Sequence, residues 1–559
     1  MEFFLGRFEK EVNPLKDELS HFQIVKRIWE KDFTVWNNNP EEISNRLGWL
    51  DLPEEMSGNF SEIDEFVNDV LRNGFKTIVL LGMGGSSLAP EVFRLTFGVK
   101  ENHPELMVLD TTDPAKIREI TEKLDLETTL FLVSTKSGGT VETLSLMKYF
   151  YNLIALRFGN EKVGEHFAAI TDPGSKLEQI AGSYKFRKTF LNNPDIGGRF
   201  SALSFFGLVP AALIGVDIRK ILEKAKDVSE ISKNDSNYIA LFGVLIGRLA
   251  ELGADKLTFL TSEKVKYFQA WAEQLIAEST GKNGKGILPV VDEPLFDIDF
   301  YSEDRVFVVL KVKSDNSIDV TLQQLREKGF SVFVFELNDE YDLGKEFFVW
   351  EFATAVAGWV MKIQPFDQPD VESAKIAARE TIKKFAEEGK LPEPEPDLVL
   401  KTGIRLYGNI DGESTVDILD NFIKRNLKEQ PESYIAIQAF VTPNDTNYGL
   451  LQKLRDKLIR KYRLACTVGF GPRFLHSTGQ LHKGDAGNGI FLQLTYEPDS
   501  NLPIPDELES ENSSITFDIL IKAQALGDRQ ALLDKERNVL AFDLGKDQSG
   551  NLNFIVENM

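Results

Sequence analysis

Apolar residues in this chain fall into short unbroken runs separated by longer stretches with helical spacing. Residues 77–81, 106–110, 129–133 and 167–170 are such runs. Each is bounded by turn residues and followed by an amphipathic segment, a pattern that predicts buried parallel strands alternating with helices. The stretch from about Phe60 to Glu230 therefore reads as a doubly wound α/β unit. A second alternation runs from about Tyr238 to Lys384, with strands expected at 256–261, 306–312 and 331–336 and helices at 264–277 and 347–361. Residues 391–396 read Leu-Pro-Glu-Pro-Glu-Pro, the composition of a linker. Beyond them, 433–441 and 464–468 read as strands around a charged helix. The expected division is an N-terminal helical segment (1–55), a first unit (56–235), a second (236–390) and a smaller third (398–559). The N-terminal segment carries Phe22, Trp29 and Trp36 as packing anchors and no visible chemistry.

Ligands of a doubly wound sheet bind outside the carboxyl ends of its strands. Three turns fall at that edge, beginning at Gly82, Ser134 and Thr171. Residues 131–143 read Phe-Leu-Val-Ser-Thr-Lys-Ser-Gly-Gly-Thr-Val-Glu-Thr, a strand, a hydroxyl-rich turn and a helix start. Free N–H groups and the positive helix end face an anion there. Ser134, Thr135, Lys136, Ser137 and Thr140 add hydroxyls and charge, so the turn reads as a phosphate cradle. The neighbouring turn, Gly82-Met-Gly-Gly-Ser-Ser87, does not fit a dinucleotide frame, which needs glycine where Ser87 stands. Gly85 and Ser86 suit a phosphate or a sugar better.

Four further segments carry candidate chemistry. Gly197-Gly-Arg-Phe-Ser201 sets Arg199 in a close-approach turn, where a fixed cation can meet developing negative charge. Glu278 ends a helical run just before Ser-Thr-Gly-Lys, with Gln274 one turn earlier on the same face. A carboxylate at a helix C-terminus faces the negative end of the dipole, a setting that suits a general base. Lys375 falls in the first turns of a helix after Pro-Phe-Asp-Gln-Pro. Residues 471–484 hold His476 and His482, two of the five histidines. Their spacing of six and the absence of other ligand patterns argue against a metal, and a histidine in a Gly/Ser/Thr loop can carry a proton.

Charge narrows the function further. The chain has 64 basic and 87 acidic side chains, a net charge of −23, which argues against nucleic-acid and anionic-membrane partners. An anionic small molecule would need a local basic pocket of the kind above. The single Cys466 fits a reducing cytoplasm. Residues 1–10 lack a signal pattern, and the apolar run 202–216, interrupted by Pro210, is too short to span a bilayer.

Together these motifs resemble the glucose-6-phosphate isomerase family, in the branch found as the isomerase half of transaldolase–phosphoglucose isomerase fusions. The resemblance runs from about residue 25 to the C-terminus. It rests on Arg46-Leu-Gly-Trp-Leu-Asp-Leu-Pro53, the turn after Leu81, the 134–143 segment, Gly197–Ser201, Gln274–Lys282 and Pro365–Glu372. No transaldolase barrel precedes these motifs, so the chain looks like a stand-alone isomerase. The resemblance implies two sugar-isomerase (SIS) domains plus the C-terminal α/β domain, a sugar-phosphate substrate, and neither metal nor nucleotide cofactor. It assigns Gly85, Ser86, Ser134, Thr135, Lys136, Ser137 and Thr140 to substrate and phosphate binding. It makes Glu278 the base between C2 and C1, Arg199 the cation at the enediolate, Gln274 a substrate contact and Lys375 a neighbour of the ring oxygen. The family order places the ring-opening histidine between base and lysine, where this chain has none. His476 is the best match, displaced into the third unit. A homodimer is the default expectation, because in much of the family this histidine comes from a neighbouring subunit. The rival readings are a non-catalytic SIS regulator and an isomerase also active on mannose 6-phosphate.

Overall fold

The expected strands all form, with bounds shifted by no more than two residues. The computed structural model describes residues 1–429, 432–499 and 501–559. The chain opens on a strand, β1 (Glu2–Phe4), which joins the second sheet. The first sheet holds β2 (Thr77–Gly82), β3 (Glu105–Leu109), β4 (Thr129–Ser134), β5 (Phe167–Thr171) and β6 (Lys188–Leu191). Its order is β3-β2-β4-β5-β6, all parallel. The second holds β7 (Lys256–Thr261), β8 (Leu288–Val290), β9 (Arg305–Val312) and β10 (Ser331–Leu337), in the order β1-β10-β9-β7-β8. The third holds β11 (Leu398–Val399), β12 (Arg405–Tyr407), β13 (Tyr434–Ala439), β14 (Cys466–Phe470), β15 (Gly489–Thr495) and β18 (Asn538–Asp543). Its order is β11-β12-β18-β15-β13-β14, with β16 (Pro503–Ile504) and β17 (Ile515–Thr516) forming a separate ribbon.

One expectation about the first 55 residues needs correcting. Residues 2–4 are not helical; they add an antiparallel edge to the second sheet, Glu2 opposite Val334 and Phe4 opposite Val332. Three residues are too few to show a period. The same shortness hides β6, β8, β11 and β12. The rest of the segment is helical in part, at Glu9–His21 and Ile24–Trp29.

The apolar runs are unbroken because both faces of each sheet are covered. In β2, Ile78 and Leu80 point into a core shared with the second sheet, whereas Val79 and Leu81 pack under the Val141–Phe158 helix. In β9, Val306, Val308 and Leu310 face that same shared core. Phe307 and Val309 face the other way, into a core built jointly with Ile435, Ile437 and Leu492 of the third sheet. The Leu343–Met361 helix lies in the middle of the shared core and is buried on every side, so its sequence shows no polar stripe. The third unit is therefore fused to the second sheet through packing, not only through residues 391–396. Among the described residues, no helix is long and apolar enough to cross a membrane.

Candidate active site

Two glycines bring the candidate segments together. Gly82 and Ser134 are partners across β2 and β4, so the two phosphate-type turns leave the first sheet side by side. A Cβ on Gly85 would lie 2.0 Å from the carbonyl oxygen of Gly198, and so the Arg199 turn presses directly on this one. Gly84, at φ +56°, leaves room for Gln274 and His476, whose Nε2 and Cβ would lie 2.9 and 3.0 Å from an added Cβ. The glycines thus serve close packing of four segments as well as the turn itself. Ser86 is nearly buried, and its carbonyl accepts from Ser134 Oγ at 3.2 Å.

The cradle is tied internally. The Thr135 and Thr140 hydroxyls are 3.0 Å apart, and Ser137 Oγ accepts from the Gly139 N–H at 3.3 Å. Lys136 is paired with Asp172 at the end of β5 and donates to the Pro194 carbonyl at 3.0 Å. Its charge is therefore spent on the neighbouring turn. Ser137, Gly139 and Thr140 line a cavity of about 400 Å³ together with Glu142, Lys375 and His476.

Glu278 sits in the last turn of the Phe268–Thr280 helix. One carboxylate oxygen pairs with Arg199 Nη1 at 2.9 Å, and the other accepts from Gln274 Nε2 at 3.0 Å. The guanidinium thus stands against the negative end of the helix, where the sequence shows only an exposed dipole. Arg199 is 3 % exposed, with every donor occupied. Besides Glu278 it reaches Ser279 Oγ, Gln368 Oε1 and the carbonyls of Pro365 and Asp367, at 2.8–2.9 Å. A guanidinium fixed this firmly is a preorganised positive charge. Lys282 is buried beside it, 2.7 Å from Asp367 Oδ1. Burial and the Arg199 charge pull its ammonium down to about 8. The sequence reading quoted Lys282 only as the end of a motif.

His476 closes the short turn Arg473–His476 after β14 and comes from the same chain. Its carbonyl accepts from Gln274 Nε2 at 2.7 Å, so one amide touches both the candidate base and the histidine loop. Its ring Nε2 lies 3.0 Å from Glu142 Oε1. Glu142 is buried in the first turn of the Val141–Phe158 helix. Burial pushes its carboxyl up, but His476 and then Lys375 outweigh that and hold it below the usual value. Sequence reasoning missed Glu142, although it stands two residues after Thr140. Its role depends on a partner more than 300 positions away, which no local pattern shows.

Lys375 lies on the Val371–Glu388 helix, with Nζ 3.7 Å from Glu372. It walls the 400 Å³ cavity and also a neighbouring one of about 510 Å³ that includes Asp367 and Gln368. Glu278, Gln274, Arg199, Gly85 and Ser86 are not part of the first cavity's wall. Arg199 reaches the second through Gln368. Gln480 completes the seal: its amide donates to the Gly281 carbonyl at 2.8 Å and to Asp370 Oδ2 at 2.7 Å. His482 is buried against Gln438, and burial pulls its pKa well down, which marks it as a neutral packing histidine.

The Glu278–Arg199 pair and the His476–Glu142 pair are joined through Gln274, which reaches both Glu278 and the His476 carbonyl. Residues 68–292 match the family model described as phosphoglucose isomerase. A probable glucose-6-phosphate isomerase of Methanococcus maripaludis is 30% identical over 383 residues, covering 61% of this chain and 85% of that protein. The glucose-6-phosphate isomerase of Mycoplasmopsis pulmonis is 28% identical, over 63% of this chain and 93% of its own. Among solved structures, a hypothetical protein of Thermus thermophilus aligns with a TM-score of 0.57 at 24% identity, over 68% of this chain and 99% of its own. A glucose-6-phosphate isomerase of Chlamydia trachomatis aligns with a TM-score of 0.52 at 21% identity, over 65% and 78%. These two likenesses establish the shared α/β fold. The sequence matches lead to one conclusion: the chain belongs to the glucose-6-phosphate isomerase family.

Proposed function

We propose that the protein interconverts glucose 6-phosphate and fructose 6-phosphate through a cis-enediol. The observation that carries this reading is the Gln274 amide, which donates to Glu278 and to the His476 carbonyl. It holds a candidate carbon base and a candidate ring opener in one network. The substrate phosphate rests at the cradle 134–140, which fixes the distance from the phosphate to C1 and C2. His476, held by Glu142 and aided by Lys375, passes a proton to the ring oxygen as the C1–O5 bond breaks, and the O1 hydroxyl releases its own to solvent, from which the histidine is reprotonated. Glu278 takes the C2 proton to give the enediolate and returns it at C1, while the O2 hydroxyl proton passes to O1 so that the carbonyl ends at C2, with Arg199 opposite the developing charge.

The His476 loop of the same chain reaches both Gln274 and Glu142, which supports a histidine supplied within the subunit. The third unit and the displaced histidine segment support placing the chain with the isomerases found fused to transaldolase. The lone buried Cys466 supports a cytoplasmic setting. The test is a coupled assay with glucose, fructose and mannose 6-phosphates, with and without chelator. Glu278→Gln should lower kcat by at least about 10²–10⁴-fold and leave sugar-phosphate binding near wild type. A variant with near-normal turnover removes the base assignment.

A further inference from the structure

The third unit reaches the crevice at a second point besides His476. Gln524 lies on the Phe517–Asp534 helix, which ends the third unit's approach to the first sheet. Its Nε2 donates to Glu142 Oε1 at 2.7 Å, the oxygen that also faces His476 Nε2. Its own Oε1 accepts from the Thr112 hydroxyl at 2.7 Å. Thr112 is fully buried in the turn after β3, and Gln524 is 6 % exposed. An amide can face its neighbours in either of two orientations. The Glu142 carboxylate selects one, because the flipped form would set the amide oxygen against it, and the Thr112 hydroxyl anchors the oxygen of that form. The helix is also braced against the Lys375 helix, where a Cβ on Gly527 would fall 2.7 Å from the Ala378 nitrogen.

We infer that Gln524 is a positioning residue for ring opening, acting through Glu142 to aim the His476 imidazole. It touches no reacting atom. Fixed by Thr112, it holds Glu142 ionised and turned toward His476, since a donor to a carboxylate favours the charged form. Losing it in this buried setting would leave Glu142 Oε1 short of a donor and free to rotate. The other ionisable groups on the same cavity wall are Glu372, Lys375 and Arg379 of the Val371–Glu388 helix and Lys483. Lys483 is paired with the buried Asp528 at 2.6 Å. The inference rests on the isomerase reading.

Gln524→Leu and Thr112→Val test it, with kcat and KM measured on glucose 6-phosphate across pH. Gln524→Leu should lower kcat by about 10–100-fold with KM little changed. The acidic limb of its profile should move to higher pH, because Glu142 has lost a donor. Thr112→Val, which leaves the Gln524 amide oxygen without its buried donor and loosens the side chain, should shift the same limb less. The double variant Glu142→Gln/Gln524→Leu should fall no further than Glu142→Gln alone. A wild-type acidic limb and kcat in Gln524→Leu, or losses that multiply in the double variant, would overturn the inference. If Gln524→Leu does not fold, an unchanged Thr112→Val profile overturns it. A wild-type protein inactive on all three sugar phosphates is the separate failure of the isomerase reading.

Discussion

Glu142 Oε1 faces the His476 ring and the Gln524 amide at once, and this arrangement decides which nitrogen of the ring is free. With Nε2 committed to the carboxylate, Nδ1 is the ring nitrogen left over for the substrate. His476→Ala should therefore cost most on the closed-ring substrate. We expect a loss of about 10²–10⁴-fold with glucose 6-phosphate as supplied, and a much smaller one in single-turnover assays started from the open aldehyde form. Equal losses in both assays would remove the ring-opening role. At this scale the sequence was partly readable. Local motifs marked Glu278, Arg199, Gln274 and the cradle, because each sits in its own short pattern. Glu142, Gln524 and Lys282 were not singled out, because their meaning comes from partners distant along the chain. Lys136 looked like a free cradle cation, and only the fold shows Asp172 beside it.

The Leu343–Met361 helix presents a different problem at the scale of an element. It is buried all round, yet it carries Glu351 with no exposure and no hydrogen-bond partner on either oxygen among the described residues. Burial pushes this carboxyl well above its usual 4.5. A folded-state pKa above the unfolded one gives a contribution that is full below the unfolded value and declines as pH rises toward the folded value. Wild-type stability should thus fall from pH 5 to pH 8 by this group's share. Glu351→Met, which keeps the volume and removes the charge, should flatten that decline and gain about 1–3 kcal/mol at pH 8. Urea unfolding at the two pH values checks it, and an unchanged slope would show that Glu351 finds a partner after all. Elements were the most legible level of the sequence. Runs buried on both faces announce themselves, as β2, β4 and β9 did. Two- to four-residue edge strands such as β1 and β8 do not, since they are defined by what lies beside them.

For the whole molecule, the sequence showed a linker at residues 391–396 and a change of unit, but not where the third unit goes. The docking surface is spread over single residues. Tyr496 reaches Asp113 at 2.5 Å, Arg455 donates to the Val291 and Asp292 carbonyls at 2.9 Å, and Gln480 caps Gly281. None of these forms a motif. The joint core of the second and third sheets has a consequence for mass action. The unit bearing His476 is tethered to the crevice it completes, so their encounter is set by effective concentration within one chain rather than by the amount of protein in solution. Specific activity should stay constant as the enzyme is diluted from micromolar to picomolar, whereas a histidine lent by a second chain would make it fall once the pair dissociates.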